Sequence, residues 1–251
     1  MTPFVVLGMP RTGSTLLSTG LSQHPGVRCY NELFHPVDTE RQRTHALVVN
    51  GARVYFQPHE DAIGFLRTNV FSQSNSTFTA VGFKLFGDYV RGPGAKDLFL
   101  RLREEIPDLR VIHIARTNYL DVLVSLEIAR ETSQWVIFKA GLEARKEVER
   151  ISIDPTSALG FFDHMHQMDC FYEEFFPSNR YCKILYEKLD TAYQEAMDAA
   201  YSFLHLRPFW VKPITVKQRV RSIRELIVNY DKLAEAFAGT PYANFFHHDG
   251  L

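Results

Sequence analysis

The chain has 251 residues with a formal net charge of −1 at pH 7; 45% of them are hydrophobic and 23% are charged. These are ordinary globular values, and the near-zero charge excludes recruitment of nucleic acid or an anionic membrane by a global electrostatic field. Cys29, Cys170 and Cys182 lack CxxC spacing, which favours free thiols in a reducing compartment over a disulfide framework or a zinc cluster. Because no stretch approaches about 18 apolar residues and the N-terminus lacks a basic region, we expect a cytoplasmic protein without a membrane span.

The first half of the chain alternates strand and helix patterns. Apolar runs of strand length lie at Phe4–Leu7, Val27–Tyr30, Ala80–Phe86 and Arg110–Ala115, and helical patterns lie at Gly13–His24, Ala95–Glu105 and Tyr119–Arg130. Residues 36–79 are irregular and rich in Asn, Ser, Thr and Gln, which predicts a substrate lid or a small helical insert rather than a linker. The alternation predicts βαβ units and a parallel sheet.

The second half is predicted to be mostly helical. Helical patterns cover Val136–Arg150, Ala158–Phe176, Ala192–Leu204 and Ile223–Phe237, with one last strand at Tyr181–Tyr186. No internal repeat, low-complexity run or domain boundary is visible. We therefore expect a single domain over residues 1–251, of the α/β class, with a P-loop-like central parallel sheet flanked by helices.

The stretch FVVLGMPRTGSTLL nearly matches the phosphate-binding loop, whose pattern is Gly, four residues, Gly, Lys and then Ser or Thr. Gly8, Gly13 and Thr15 fit this pattern, but Ser14 takes the place of the lysine. A strand–loop–helix turn points backbone N–H groups at an anion, and Arg11 supplies a cation inside the loop. Without the lysine and its coupled Mg²⁺, the loop fits a ligand whose terminal phosphate is not transferred. A plain tight turn with an exposed arginine is the alternative.

A second stretch, VIHIARTNYLDVLVSLEIAR, has a buried strand that ends at Arg116 and a helix that carries Ser125 nine residues later. An arginine at the carboxyl end of a parallel strand lies where α/β sheets bind ligands. Ser125 could donate a hydrogen bond to the same anion. Taken alone, the pair is weak evidence, because most Ser and Arg side chains at such positions are solvated or capping.

Together the two stretches resemble the sulfotransferases that use 3′-phosphoadenosine 5′-phosphosulfate (PAPS). PRTGSTLL is similar to the 5′-phosphosulfate loop of that family, and RTNYLDVLVS is similar to its 3′-phosphate signature. ILYEKL at 184–189 and FLHL at 203–206 resemble later motifs of the family, so the resemblance covers most of the chain in the right order. It implies the sulfotransferase fold.

Within the family the resemblance is strongest to bacterial carbohydrate sulfotransferases of the Nod-factor and trehalose (glycolipid) type. It rests on GMPRTGST, NELFHP, GFKLF and VKQRVRSIRELIVNYDKL. Cytosolic phenol sulfotransferases are less similar, because their Lys-Ser-Gly-Thr-Thr-Trp loop and C-terminal Lys-Gly-x-x-Gly-x-Trp-Lys element are absent. Lys217, Gln218, Arg219 and Arg221 are candidates to replace that element over the 3′-phosphate, and the sequence does not choose among them.

The resemblance implies transfer of a sulfuryl group from PAPS to a hydroxyl of a carbohydrate or glycolipid, giving PAP and a sulfate ester. Arg11 is expected to grip the 5′-phosphate and the leaving oxygen, while Arg116 and Ser125 hold the 3′-phosphate. The rest of the 5′-phosphate cradle is expected from Pro10, Thr12, Gly13, Ser14, Thr15 and Leu16. Catalysis of this kind is mostly positioning and electrostatic stabilisation, so we expect no metal and no nucleic-acid partner.

The acceptor hydroxyl needs a general base. Glu32 is the candidate because it follows the second predicted strand, and the trehalose-type enzymes are similar in carrying a carboxylate base shortly after the loop. His35 is the competing base. Lys84 interrupts an apolar strand, so it either reaches an edge with its ammonium or acts as a second clamp on the sulfuryl oxygens.

Two further features are interpreted as structural. Trp135 is expected to pack in the core rather than to stack on adenine or line the acceptor site. His164 and His166, near Cys170, face different sides of a helix and so do not predict a metal site.

Two other functions stay open: a P-loop kinase or NTPase with a degenerate loop and Mg²⁺-dependent ATP binding, or a nucleotide-binding protein without catalysis.

Overall fold

The computed structural model describes residues 1–35, 47–49, 52–54, 56, 61–72, 77–87 and 95–247. Within these residues the strands are β1 (Thr2–Gly8), β2 (Val27–Glu32), β3 (Leu47–Val49), β4 (Ala52–Val54), β5 (Ala80–Phe86), β6 (Arg110–Ala115), β7 (Ile137–Phe138), β8 (Tyr181–Leu185) and β9 (Thr215–Val216). Five of them form a parallel sheet in the order β2-β5-β1-β6-β8. The strands β3 and β4 form one antiparallel pair, and β7 and β9 form another. The predicted central parallel sheet is confirmed.

The helices flank this sheet and dominate the second half of the chain. They are α1 (Ser14–Leu21), α2 (Ala62–Phe65), α3 (Ala95–Glu105), α4 (Tyr119–Thr132), α5 (Pro155–Phe175), α6 (Tyr186–Thr191), α7 (Tyr193–Phe203), α8 (Ile223–Leu226) and α9 (Tyr230–Phe237). A π-turn covers Leu66–Val70, and 3₁₀ turns cover Lys139–Ala144, Ser178–Arg180 and Ala243–Phe246. The insert expected over 36–79 is described only in part, as the β3–β4 pair and α2 with the π-turn.

Both faces of the sheet are covered by helices. In β1, Phe4 and Val6 pack with α1 and α7 on one face, while Val5 and Leu7 pack with α3 and α5 on the other. Because both faces are buried, the strand is a continuous apolar run rather than an alternating one. A third cluster of buried residues joins α4, α5, α8 and α9.

The parallel strands bring their carboxyl ends to one edge of the sheet. Gly8, the last residue of β1, lies opposite Phe86 in β5 and Ile114 in β6. The loop after β1 therefore lies beside the residues that follow β6, which include Arg116. This is the edge at which open α/β sheets bind ligands.

The helix predicted over Val136–Arg150 is wrong. This segment forms β7, which pairs with β9, followed by a 3₁₀ turn. Of its residues only Ile137 and Val148 are buried, and Leu142 is 44% exposed. The Lys, Glu and Ala residues favour a helix, but without an apolar stripe to bury, such a helix gains nothing from packing.

The helix predicted over Ile223–Phe237 is interrupted. Val228 donates its N–H to the carbonyl of Ile151 at 2.8 Å, and the Asn229 side chain bonds to both the N–H and the carbonyl of Ile153. These contacts hold Ile227 in an extended conformation and residues 228–229 in a turn between α8 and α9. Hydrogen bonds to a distant segment thus override the local helical pattern.

Candidate active site

The loop between β1 and α1 contains two residues in the left-handed region, Arg11 with φ 69° and Gly13 with φ 96°. Thr12 is fully buried and its hydroxyl donates to the carbonyl of Met9 at 2.8 Å, which braces the turn. Gly13 is the N-cap of α1 and has no side chain to cap it. The first N–H groups of α1 are therefore available to an anionic ligand.

Tyr186, the first residue of α6, closes one side of this loop. A Cβ on Gly13 would lie 2.5 Å from the Tyr186 Cδ2 atom, so only glycine fits. The Arg116 guanidinium lies over the other part of the same ring, 4.3 Å from its centroid. Burial raises the pKa of the Tyr186 phenol, which keeps it neutral. The sequence analysis quoted ILYEKL but assigned no role to this tyrosine.

Arg11 joins three segments of the chain. Its Nε donates to the Ser125 hydroxyl at 3.0 Å, and its terminal nitrogens donate to the Trp135 carbonyl and to the Gln218 side-chain oxygen. The arginine predicted for the 5′-phosphate is thus bonded to the serine predicted for the 3′-phosphate. Burial, and then the charge of Arg116, lower the pKa of Arg11 to about 10, so it stays cationic at neutral pH.

The prediction that Trp135 packs in the core is wrong. Its side chain is 39% exposed, so it is not a core residue. Its backbone carbonyl anchors Arg11 instead. The residue that seemed structural by type therefore lies beside Arg11, two residues before β7 begins.

Arg116 follows β6 and is 8% exposed. Its Nη2 lies 3.0 Å from one Asp121 oxygen, and the Arg219 Nη2 lies 2.8 Å from the other. Among the described residues the Arg116 Nε is buried without a hydrogen-bond partner, which leaves one donor for a ligand. Asp121 therefore links the 3′-phosphate motif to the C-terminal basic segment. Sequence reasoning missed it, although it lies within the quoted DVLVS.

Of the four C-terminal candidates, two bond to residues of the site and two make other contacts. Gln218 bonds to Arg11 and Arg219 pairs with Asp121, so both belong to the site. Lys217 pairs with Asp190 at 2.8 Å, and the Arg221 guanidinium bonds to the Val148 carbonyl.

Glu32, Lys84 and Thr15 form a second cluster beside the loop. The Lys84 Nζ lies 2.7 Å from the Glu32 Oε1 and donates to the Thr15 hydroxyl at 3.1 Å. Glu32 and Lys84 are opposite each other in β2 and β5, after an irregularity in the register at Tyr30. Lys84 is 2% exposed. The His35 N–H bonds to the Glu32 carbonyl at 3.1 Å, so the competing base lies just beyond.

The remaining predicted residues have these positions. Pro10 lies in the turn, Ser14 begins α1 and is 4% exposed, and the Leu16 carbonyl accepts a hydrogen bond from Tyr193 at 3.3 Å. Within the described ranges no group of three His, Cys, Asp or Glu residues could hold a metal ion. None of the helices in those ranges has the length and apolar character needed to cross a membrane.

The combined charge of the site suits an anion with two separate negative groups. The cations Arg11, Arg116 and Lys84 meet at one edge of the sheet, and each already contacts a polar group of the site. The N–H groups at the start of α1 add donors between them. Fixed cations and dipoles of this kind stabilise negative charge without reorganising during a reaction.

Comparison with known proteins shows which sequences and folds this chain is similar to. Nodulation protein H of Rhizobium tropici is 27% identical over 254 residues, which cover 98% of this chain and 94% of that protein. Nodulation protein H of Rhizobium meliloti (strain 1021) is 27% identical over 246 residues, with 97% and 94% covered. A crystal structure of a sulfotransferase from Alicyclobacillus acidocaldarius has the same fold, with a TM-score of 0.53, 16% identity and coverage of 98% and 96%.

The match to a protein family extends over the loop, Arg116 and Ser125. The sequence profile described as the sulfotransferase family fits residues 3–210, which leaves only the C-terminal candidates outside it. The chain therefore belongs to the sulfotransferase family, whose members are enzymes that use PAPS as their sulfuryl donor.

Proposed function

We propose that this chain transfers the sulfuryl group of PAPS to a hydroxyl of a carbohydrate or glycolipid acceptor, releasing PAP. The observation that carries the proposal is the 3.0 Å hydrogen bond between Arg11 and Ser125. It joins the two motifs that resemble the 5′- and 3′-phosphate sites of the family into one anion site. A donor with phosphates at both positions fits such a site better than a nucleoside triphosphate does.

On the 5′ side, the loop holds the phosphosulfate. The N–H groups at the start of α1 and the Thr15 hydroxyl bind its oxygens, and Arg11 binds the phosphate from the opposite side. The positive φ angles of Arg11 and Gly13 support this role, because they turn the backbone around the ligand position.

On the 3′ side, Arg116 and Ser125 hold the phosphate that distinguishes PAPS from adenylates. The free Nε of Arg116 supports this assignment, since a buried donor without a partner costs free energy that a bound phosphate would recover. Arg219 adds a second guanidinium through its pairing with Asp121.

The reaction is an in-line displacement. Glu32 accepts the proton of the acceptor hydroxyl as its oxygen bonds to sulfur, and the bond from sulfur to the bridging oxygen breaks. Arg11 and the loop N–H groups stabilise the negative charge that passes to the PAP leaving group. Lys84, between Glu32 and Thr15, stabilises the equatorial sulfuryl oxygens.

The acceptor class rests on similarity. The sequence resembles Nod-factor and trehalose-type enzymes, and the two relatives named nodulation protein H agree with the first of these. Both lines favour a sugar hydroxyl over a phenol.

Thermal unfolding with PAP, with ADP, and with ATP plus Mg²⁺ tests the donor. A ligand at about 100 times its Kd adds about 2.7 kcal/mol to the free energy of unfolding. We expect a clear rise in Tm with PAP and little change with ADP. A rise only with ATP and Mg²⁺ would contradict the proposal and favour a kinase or NTPase.

Turnover tests the acceptor. Incubation with PAPS and a chitin oligosaccharide, a trehalose glycolipid or a simple phenol should give a sulfate ester with a sugar acceptor, and EDTA should not change the rate. PAP binding without transfer to any of these acceptors would point to a binding protein that has lost the chemistry.

A further inference from the structure

A chain of buried polar side chains lies beneath Arg116 and takes no part in the proposed reaction. His113 in β6 is fully buried, and its Nε2 lies 3.1 Å from the Asp169 Oδ1 of α5. The Tyr119 hydroxyl donates to the Asp169 Oδ2 at 2.9 Å. At the other end, the His113 Nδ1 lies 2.5 Å from the Tyr181 hydroxyl of β8. The chain thus connects two strands and two helices.

All four members satisfy one another's hydrogen bonds. With the proton on Nε2, His113 donates to Asp169 and accepts from Tyr181 at Nδ1. Burial, and then the negative charge of Asp169, raise the pKa of Tyr119, so its hydroxyl remains a donor to the carboxylate. A buried carboxylate is costly in an apolar core unless such bonds surround it. Apolar side chains would fill this space at a lower cost in free energy, so packing alone does not explain why polar side chains lie here.

Two members of the polar chain lie in the elements that carry the proposed 3′-phosphate residues. Tyr119 is the first residue of α4, and Asp121 in the same turn holds the Arg116 guanidinium at 3.0 Å. Ser125 lies one turn further along α4. His113 lies three residues before Arg116 in the strand that leads to it. The Tyr119–Asp169 bond therefore fixes the helix start, and with it the positions of Asp121, Arg116 and Ser125.

We infer that Tyr119 and Asp169 are positioning residues for recognition of the donor's 3′-phosphate, acting through the first turn of α4. The inference rests on the proposed function. It predicts that loss of the Tyr119–Asp169 bond weakens discrimination for the 3′-phosphate specifically. The 5′ loop is attached to β1 and α1 and touches α4 through the Arg11–Ser125 hydrogen bond, so its affinity for a nucleotide without a 3′-phosphate should change much less than the affinity for PAP.

Tyr119→Phe removes this hydrogen bond and keeps the ring. Titration calorimetry with PAP and with ADP gives the ratio of their affinities. We expect PAP to bind about tenfold more weakly to the variant, which corresponds to the loss of one hydrogen bond of about 1.4 kcal/mol. We expect ADP affinity to stay within about twofold.

Tyr242→Phe is the matched control. The Tyr242 hydroxyl also donates to an aspartate of α5, Asp163, at 2.6 Å, but Asp163 is not part of the polar chain from Tyr119 to Tyr181. This variant should leave both affinities unchanged. Asp169→Asn provides a second variant, which should lower the PAP-to-ADP affinity ratio in the same direction as Tyr119→Phe.

The outcomes separate the two proposals. An unchanged PAP-to-ADP affinity ratio in both Tyr119→Phe and Asp169→Asn would overturn the inference. An equal loss of PAP and ADP affinity would also overturn it, because such a loss indicates a general structural defect. Failure of the wild-type protein to bind PAP would instead overturn the proposed function, and the inference with it.

Discussion

The Lys84 ammonium lies 2.7 Å from the Glu32 carboxylate, and this pair lies beside Thr15 in the first turn of α1. Lys84 is 2% exposed, so its charge depends on nearby partners. Glu32 supplies the negative charge and Thr15 supplies a hydroxyl acceptor at 3.1 Å. The base and the cation are therefore coupled, and a substitution of either one affects the other.

Glu32→Gln tests the base. The amide cannot take the proton of the acceptor, so we expect turnover to fall by about 10²–10⁴-fold while PAP affinity stays within a few-fold. Glu173→Gln is the control, because Glu173 also pairs with a lysine, Lys183, but on the surface. Full turnover in Glu32→Gln together with loss in His35→Gln would assign the base to His35 instead.

The Glu32–Lys84 pair also predicts how substitutions change the free energy of unfolding. Glu32→Ala removes the carboxylate that neutralises Lys84, and we expect it to cost about 3 kcal/mol, at the lower end for a broken buried ion pair because Thr15 remains as a partner. The double variant Glu32→Ala, Lys84→Met should recover most of that loss, since it leaves no buried charge. Urea denaturation measures both values. Equal stability of the single and double variants would show that the ion pair does not compensate Lys84.

Sequence patterns predicted the sheet and the turn after β1 because both depend on local signals. Buried apolar runs predict the strands of the central sheet, and glycine spacing predicts the turn after β1. Parallel strands then bring the carboxyl ends together, which explains why Arg11 and Ser125 are in contact at 3.0 Å despite their separation in sequence.

The contacts that sequence reasoning missed are tertiary. In the sequence, Asp121 looks like any aspartate in the first turn of a helix. Only the fold shows that its carboxylate pairs with both Arg116 and Arg219. Tyr186 follows a strand, and nothing local indicates that its ring fills the space beside Gly13. The helix predicted over Val136–Arg150 failed for the same reason, since pairing of β7 with β9 depends on a segment more than 70 residues away.

Ser125→Ala tests the 3′-phosphate site. A hydrogen bond to a charged group contributes about 1.5–3 kcal/mol, so we expect PAP to bind about 10–150-fold more weakly and ADP to bind as before. Ser202→Ala, at an exposed position of α7, is the control and should change neither affinity. Isothermal titration with both nucleotides provides the comparison. A loss of ADP affinity equal to that of PAP would place Ser125 at a part of the nucleotide common to both.

Gly13→Ala tests the loop. A left-handed residue with a Cβ costs about 1–2 kcal/mol, and here φ is 96° and the new atom would lie 2.5 Å from the Tyr186 ring. We expect Tm to fall by at least several degrees, and the rise of Tm with PAP to be lost because the displaced ring disturbs both the loop and Arg116. Gly160→Ala is the opposite case: this glycine lies within α5 with open space around its Cβ position, so alanine should add about 0.5–1 kcal/mol. If Gly13→Ala left Tm unchanged or raised it, neither the left-handed turn nor the contact with Tyr186 would explain the glycine at position 13.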